Sequence, residues 1–197
     1  MAVCMIIKKL AKTILSSWEK KQVIEPHLKS VYQYGIELII SSFISTFLIL
    51  ILGMVLFTLT DAVIFLITFI PIRLYCGGYH ANTYFVCNIS IAATFCLSSY
   101  CARVISISIN SFFIISIICF SIFIFICPVE SKYKPLNPHQ KKRCKIISLV
   151  ALLVILFTCF ILYFMAIHYY AIVLFTIVAV TILMPIGLIK NHIERRI

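Results

Sequence analysis

The chain has 197 residues, of which 63% are hydrophobic and 12% are charged, and its formal net charge is +11. A soluble domain carries roughly 25% charged residues, so this composition excludes an ordinary soluble fold and requires lipid to cover the apolar surface. The basic residues lie mostly in three blocks beside apolar segments, at 8–29, 132–145 and 190–196. That arrangement is typical of the positive-inside rule and not of a nucleic-acid-binding face, so no nucleic-acid partner is predicted.

Residues 1–30 predict a basic amphipathic helix that lies on the membrane surface. Leu10, Ile14 and Trp18 recur at helical spacing, and lysines lie between and after them. Apolar residues on one face with lysines beside them favour the boundary between lipid headgroups and acyl chains. Pro26 is expected to end this helix.

Four membrane crossings are predicted within residues 31–127. Three apolar runs match the roughly 20 residues that a spanning helix needs, namely 36–59, 84–102 and 104–127. The run 60–76 is shorter. If residues 1–30 and 130–145 both face the cytoplasm, an even number of crossings must separate them, so 60–76 is predicted to be the fourth crossing.

Residues 128–145 are predicted to form a basic cytoplasmic loop. Residues 146–197 are predicted to form a helical hairpin, with a turn near His168, and a basic tail. The fold class is therefore all-α: a polytopic integral membrane protein with a single domain over 1–197, about six transmembrane helices and both termini in the cytoplasm.

The stretch 73–87 differs from the aliphatic background, because it brings an arginine, a glycine pair, a histidine and two cysteines to a membrane boundary. His80 and Cys87 can form a pair of base and nucleophile, since an imidazole can hold a nearby thiol as thiolate. Within one helix, seven residues at 1.5 Å each would separate them by about 10 Å. The pair therefore requires His80 to lie outside the helix of Cys87, which Asn82 or Thr83 can cap.

Alternatives remain open from the residues alone. Cys76 is a rival nucleophile, and a histidine at a membrane interface is more often a polar anchor. A zinc site of Cys76, His80 and Cys87 lacks a fourth ligand and the usual spacing, so neither a metal nor a cofactor is predicted. Asp61 is the single aspartate, which excludes an aspartyl dyad, and the zincin motif is absent.

Four features occur in order along the chain. They are Tyr34-Gly35-Ile36-Glu37 before the first crossing; Arg73 followed by Gly77-Gly78 and His80-Ala81; Cys87, seven residues after the histidine; and the basic segment 128–136. With its length and hydropathy, the chain resembles the AgrB family of bacterial membrane cysteine endopeptidases. Tyr133 stands where an asparagine is expected in that family, which is a small departure.

The resemblance implies a reaction in two steps. Cys87 attacks a peptide bond near the C-terminal side of a small precursor peptide, with His80 acting as base and then as acid. The precursor's acidic tail leaves, and a thioester remains on the enzyme. A side chain of the peptide then closes a thiolactone or lactone ring, which implies a role in quorum sensing. Exclusion of water favours ring closure over hydrolysis.

Further binding residues are predicted with less support from the sequence. Arg73 and the backbone amides of Gly77 and Gly78 are candidates for stabilising the oxyanion or binding substrate. The lysines expected to bind the acidic tail of the precursor are Lys132, Lys134, Lys141 and Lys142. The same lysines are expected to set the orientation of the chain in the membrane. The site is expected on the cytoplasmic side of a bacterial cell membrane, with lipid around it, and a homodimer is compatible with the sequence.

The sequence supplies no third catalytic group, because Glu37 and Asp61 are distant from His80 along the chain. Asn82 or a backbone carbonyl is the candidate that would orient the imidazole. Two other functions remain open, a peptide transporter or exporter and a non-catalytic assembly or sensor subunit. The transporter has less support, because the predicted crossings lack the internal charges that usually mark a substrate path.

Overall fold

The computed structural model describes residues 2–20, 29–77, 83–129, 137–165 and 169–196. Within these ranges the helices are α1 (Ala2–Lys20), α2 (Lys29–Leu56), α3 (Leu59–Cys76), α4 (Tyr84–Val104), α5 (Ile109–Ile126), α6 (Pro138–Phe164) and α7 (Tyr169–Arg196), and no strand occurs. The helices α2 to α7 are each long and apolar enough to cross a membrane. The predicted all-α fold with six crossings is therefore confirmed.

Helix α7 lies at the centre of the bundle. It packs against α3, α4, α5 and α6, and half of its apolar span is buried. Helix α2, in contrast, lies at the periphery and exposes large apolar side chains at four-residue spacing, namely Phe43, Phe47, Ile51 and Val55. In a membrane protein, an exposed apolar stripe of this kind faces the lipid.

The connection between α2 and α3 is tight. A Cβ atom at Gly53 would lie 2.6 Å from the Cβ of Ala62, so glycine allows the two helices to approach here. Thr58 caps α3 by accepting a hydrogen bond from the Asp61 backbone N–H at 3.2 Å. The 18 residues of α3 span about 27 Å, so the short apolar run forms a transmembrane helix of its own.

An ion pair marks one end of the bundle. The Arg103 guanidinium donates to the buried Asp61 carboxylate at 2.6 Å and lies 5.2 Å from the centre of the Phe57 ring. Asp61 lies in the first turn of α3 and Arg103 in the last turn of α4, so this end lies opposite the one where α3 ends and α4 begins. The predicted catalytic residues therefore lie at the other end of the bundle.

Helix α1 packs beside the start of α2. Ile7, Ala11 and Leu15 are buried, the last two in one cluster with Ile36. The neighbouring apolar side chains of α1 remain exposed, namely Leu10, Ile14 and Trp18. The apolar surface of α1 is thus divided between protein contact and an exposed strip. Pro26 lies outside the described residues.

Several boundaries differ from those predicted. Helix α2 begins at Lys29 and not near residue 36, because helix formation does not require the apolar run to have started. Helix α4 continues to Val104, and α5 begins only after Ser108, whose side chain accepts from the Ser111 N–H at 3.3 Å. Helix α6 ends at Phe164 and α7 begins at Tyr169, while His168 lies outside the described residues.

Residues 138–145, which belong to the predicted cytoplasmic loop 128–145, are helical in the structure. Helix α6 begins at Pro138, so Lys141 and Lys142 lie in its first two turns. Asn137 and Gln140 form a capping box, and proline at the first helical position is favourable because its missing N–H is not needed there. The polar residues before Ile146 suggested a loop, but the capping box allows α6 to begin already at Pro138.

Candidate active site

The end of α3 is closed by hydrogen bonds to one carbonyl. The Gly77 oxygen accepts from the Arg73 guanidinium, and the Cys76 sulfur lies 3.3 Å from the same oxygen. Gly77 has φ 72° and ψ −142°, a conformation that glycine adopts far more readily than other residues. Arg73, a predicted binding residue, thus helps to shape the chain where α3 ends.

Gly77 also joins α3 to the segment that follows α5. The Val129 N–H donates to the Cys76 carbonyl at 2.8 Å, and Gly77 forms an isolated parallel bridge with Val129. A Cβ atom at position 77 would overlap the Val129 carbonyl oxygen. Glycine is therefore required twice here, for the backbone angle and for the close approach. No sequence pattern indicated this contact.

Cys87 lies in the first turn of α4, where it is half-buried. Of the two predicted caps, Thr83 is the residue observed, and its side chain accepts from the Val86 N–H at 3.4 Å. The Cys87 N–H donates to the Thr83 carbonyl at 3.1 Å, which fixes the cysteine in the helix. Cys76, the rival nucleophile, is fully buried. The difference in exposure favours Cys87.

Arg73 brings positive charge to this region. Its guanidinium interacts electrostatically with Cys76 and with Cys87. Since the thiolate is the nucleophilic form of cysteine, a cation near Cys87 suits covalent catalysis. Three of the predicted site residues, Gly78, His80 and Asn82, lie outside the described residues.

Glu37 was not predicted to belong to the site, yet the structure places it there. Its carboxylate is buried and accepts from the Tyr84 hydroxyl at 2.8 Å and from the Gln33 side-chain amide at 2.9 Å. Tyr84 begins α4, three residues before Cys87, although it is 47 residues from Glu37 along the chain. The sequence analysis excluded Glu37 as a third catalytic group because it is distant from His80 along the chain. The packing of α2 against α4 nevertheless places its carboxylate beside the start of α4.

A second polar contact between α2 and α4 lies one turn deeper. The buried Asn88 carboxamide oxygen is 3.1 Å from the Ser41 hydroxyl and 2.8 Å from the Ser45 hydroxyl. Together with Glu37 and Tyr84, these residues form a polar seam between the two helices. Hydrogen bonds of this kind hold helices together within lipid, and here they fix α4 on either side of Cys87.

The predicted lysines lie at the same end of the bundle but beside a different groove. Lys141, Lys142 and Lys145 line an open groove of about 620 Å³. The remaining lining residues are Phe125, Ile126, Cys127, Pro128, Pro138 and Leu188. Burial raises the pKa of the Cys127 thiol, with smaller opposing effects from Ser148 and Lys145. Lys132 and Lys134 lie outside the described residues.

The arrangement can support covalent chemistry but offers no metal centre among the residues described. No group of three His, Cys, Asp or Glu side chains there could hold a metal ion. The structure brings together Cys87, Arg73 and Gly77, which the sequence selected, and adds Glu37 and Tyr84. Val129 connects this region to the segment before the lysine-lined groove.

Comparison with known proteins gives a consistent result. The family model described as accessory gene regulator B matches residues 4–184. A Clostridium perfringens strain 13 protein named as AgrB-like protein 2 is 32% identical over 145 residues, covering 70% of this chain and 68% of the relative. An AgrB-like protein of strain SM101 is 30% identical with the same coverage. No solved structure matches the chain significantly.

Proposed function

The chain belongs to the accessory gene regulator B family, and from that premise we propose that it is a membrane-embedded cysteine endopeptidase acting on a small precursor peptide. The observation that carries this proposal is the environment of Cys87. It is half-buried in a capped first turn of α4 and interacts with the Arg73 guanidinium. Cys76 also interacts with Arg73 but is fully buried, so partial exposure is what distinguishes Cys87 from a packing cysteine.

In the proposed reaction, His80 takes the thiol proton and the Cys87 thiolate attacks a peptide carbonyl of the precursor. The bond between carbon and sulfur forms, the bond between carbon and nitrogen breaks, and His80 gives its proton to the leaving amine. The C-terminal tail departs and a thioester remains. A thiol or hydroxyl of the peptide then attacks the thioester, which closes the ring and releases Cys87.

Developing negative charge on the carbonyl oxygen requires hydrogen-bond donors. Arg73 is a hydrogen-bond donor at the end of α3, where its guanidinium donates to the Gly77 oxygen. We assign oxyanion stabilisation to Arg73 together with the backbone amides of Gly77 and Gly78. The cyclic product would act as a quorum-sensing signal.

The experiment that tests the proposed function is co-expression of the chain with a candidate precursor encoded nearby, followed by mass spectrometry. We expect a released C-terminal tail and a peptide that has lost the mass of water relative to the linear product. Transport of an uncleaved precursor would instead support the exporter, and no change in the precursor would support a non-catalytic subunit.

The lysine-lined groove supports a proposed binding site for the precursor's acidic tail. Lys141, Lys142 and Lys145 lie on one face of α6, at positions i, i+1 and i+4, and line the same open groove. Lys132 and Lys134 are proposed to assist from the preceding segment. Attraction between exposed charges extends about 8 Å at physiological salt, so tail binding should weaken as salt increases.

We expect the triple change Lys141→Gln, Lys142→Gln and Lys145→Gln to raise KM about 10-fold with a smaller effect on kcat. Each exposed contact contributes about 0–1 kcal/mol, so single changes should be nearly silent while three together are measurable. The tail is remote from the reacting bond, which is why kcat should change less. Initial rates against precursor concentration, at low and high salt, measure the effect.

A matched control removes the same amount of charge elsewhere. Lys9, Lys12 and Arg143 are exposed and do not line the groove. Their triple change to glutamine should leave KM near the wild-type value. Equal effects of the two triple variants would mean that net charge, and not the groove, attracts the precursor.

We propose that the end of the bundle carrying Cys87 faces the cytoplasm, in accordance with the positive-inside rule. Gln140 is exposed at that end and Ser106 at the other. With an impermeant thiol reagent on intact cells, Ser106→Cys should label above the background of the unaltered chain, and Gln140→Cys only after permeabilisation. The reverse pattern would contradict the orientation.

A further inference from the structure

Two carboxylates are buried in the described part of the bundle, and their partners differ. Asp61 is 2% exposed and forms an ion pair with Arg103. Glu37 is 6% exposed, and its hydrogen-bond partners in the described ranges are the neutral side chains of Gln33 and Tyr84. A carboxylate inside a membrane protein is costly to desolvate, and such a group usually serves a function with a partner nearby.

Glu37 can accept further hydrogen bonds. An ionised carboxylate has about four lone-pair sites, and Gln33 and Tyr84 each occupy one, on different oxygens. The two bonds fix the orientation of the carboxylate before any third donor arrives. They also hold the carboxylate at the residue where α4 begins.

The sequence places His80 four residues before Tyr84, whose hydroxyl donates to the Glu37 carboxylate. His80 itself lies outside the described residues. A histidine that serves Cys87 as base must also reach the first turn of α4, which is the turn that Tyr84 begins.

We propose that Glu37 is a positioning residue for the reaction, a carboxylate that orients the catalytic imidazole and stabilises the positive charge it gains with the Cys87 proton. This inference rests on the proposed function. Tyr84 and Gln33 hold the carboxylate in place. A neutral imidazole needs its second nitrogen to carry a proton if the first is to act as base, and a carboxylate acceptor selects that form.

The test compares Glu37→Gln, Glu37→Asp and Tyr84→Phe in purified chain with its precursor. Glutamine keeps the shape and can still accept from Tyr84, but it removes the charge. We expect Glu37→Gln to lower kcat about 10- to 100-fold, with KM and the melting temperature nearly unchanged, since orienting an acid–base group contributes on this scale. Glu37→Asp keeps the charge and should retain more kcat than Glu37→Gln.

Tyr84→Phe removes one hydrogen bond between α2 and α4 without removing charge, so its kcat should fall less than that of Glu37→Gln. Ser42→Ala is the matched control. It removes a hydroxyl of the same helix whose hydrogen bond, at 2.9 Å, goes to the Leu38 carbonyl on the exposed side of α2 and not to α4, and it should leave kcat near wild type.

Three outcomes would overturn the inference: wild-type kcat in Glu37→Gln, equal or lower kcat in Glu37→Asp, or failure of Glu37→Gln to accumulate in the membrane. The last would assign the carboxylate to folding. Cys87→Ala measured in the same assay separates the two proposals. Cleavage by that variant refutes the proposed function, whereas its inactivity beside an active Glu37→Gln refutes the role of Glu37 alone.

Discussion

Cys87→Ala is expected to reduce precursor cleavage by at least about a thousandfold, because removing a covalent nucleophile leaves only binding and oxyanion stabilisation. His80→Ala should have a similar effect, since base and nucleophile act as a unit and their losses are not additive. Cleavage is measured by mass spectrometry of the released tail, in membranes that contain equal amounts of each variant.

Cys76→Ala is the control for this prediction. Cys76 is fully buried at the end of α3, whereas Cys87 is half-buried. Removing one buried sulfur should leave most of the activity, because substrate cannot reach it. Loss of cleavage in Cys76→Ala together with full activity in Cys87→Ala would reverse the assignment of the nucleophile.

Gly77→Ala is expected to have the second largest effect. An added methyl group would overlap the Val129 carbonyl oxygen, and the backbone angle φ 72° is unfavourable for alanine. The strain costs about 1–3 kcal/mol, and relief of the overlap would break the hydrogen bond from Val129 to Cys76. Gly77 and the end of α3, which carries Arg73, would then shift, and a misplacement of about 1 Å can cost about 100-fold in rate.

Gly35→Ala provides the same substitution without these constraints. A Cβ atom at Gly35 would have no neighbour within 4 Å, and the residue lies inside α2. Alanine favours helix by about 1 kcal/mol relative to glycine, so the variant should be as stable as wild type or more so. The kcat and the melting temperature in detergent are the measurements. Wild-type values for Gly77→Ala would contradict the role given to the bridge with Val129.

The architecture followed from the sequence because the signals are strong and local. Long apolar runs between charges predicted the spans, and the even number of crossings assigned 60–76 to a membrane helix. Thr83 was among the predicted caps of α4, since capping depends on neighbouring residues only. The start of α6 was placed too late because a capping box at Asn137 outweighs the polarity of the segment.

The candidate site could be predicted only where its residues are close in sequence. The candidate residues Arg73, Gly77 and Cys87 all lie within the stretch 73–87, so their residue types and spacing were enough to predict that they belong to one site. Glu37 and Val129 reach the same region only through helix packing, and a single sequence carries no record of such contacts. The roles of His80 and of Lys132 and Lys134 remain predictions from the sequence.

The central claim is that a thioester forms on Cys87, and its most direct test is to look for that bond. Purified chain is mixed with a precursor whose ring-closing side chain has been replaced by alanine, so that the second step is blocked. After an acid quench, proteolysis and mass spectrometry should find the precursor's N-terminal fragment attached to the peptide containing Cys87 and sensitive to hydroxylamine. Release of the tail with no adduct on Cys87, or with an adduct on another cysteine, would contradict the account.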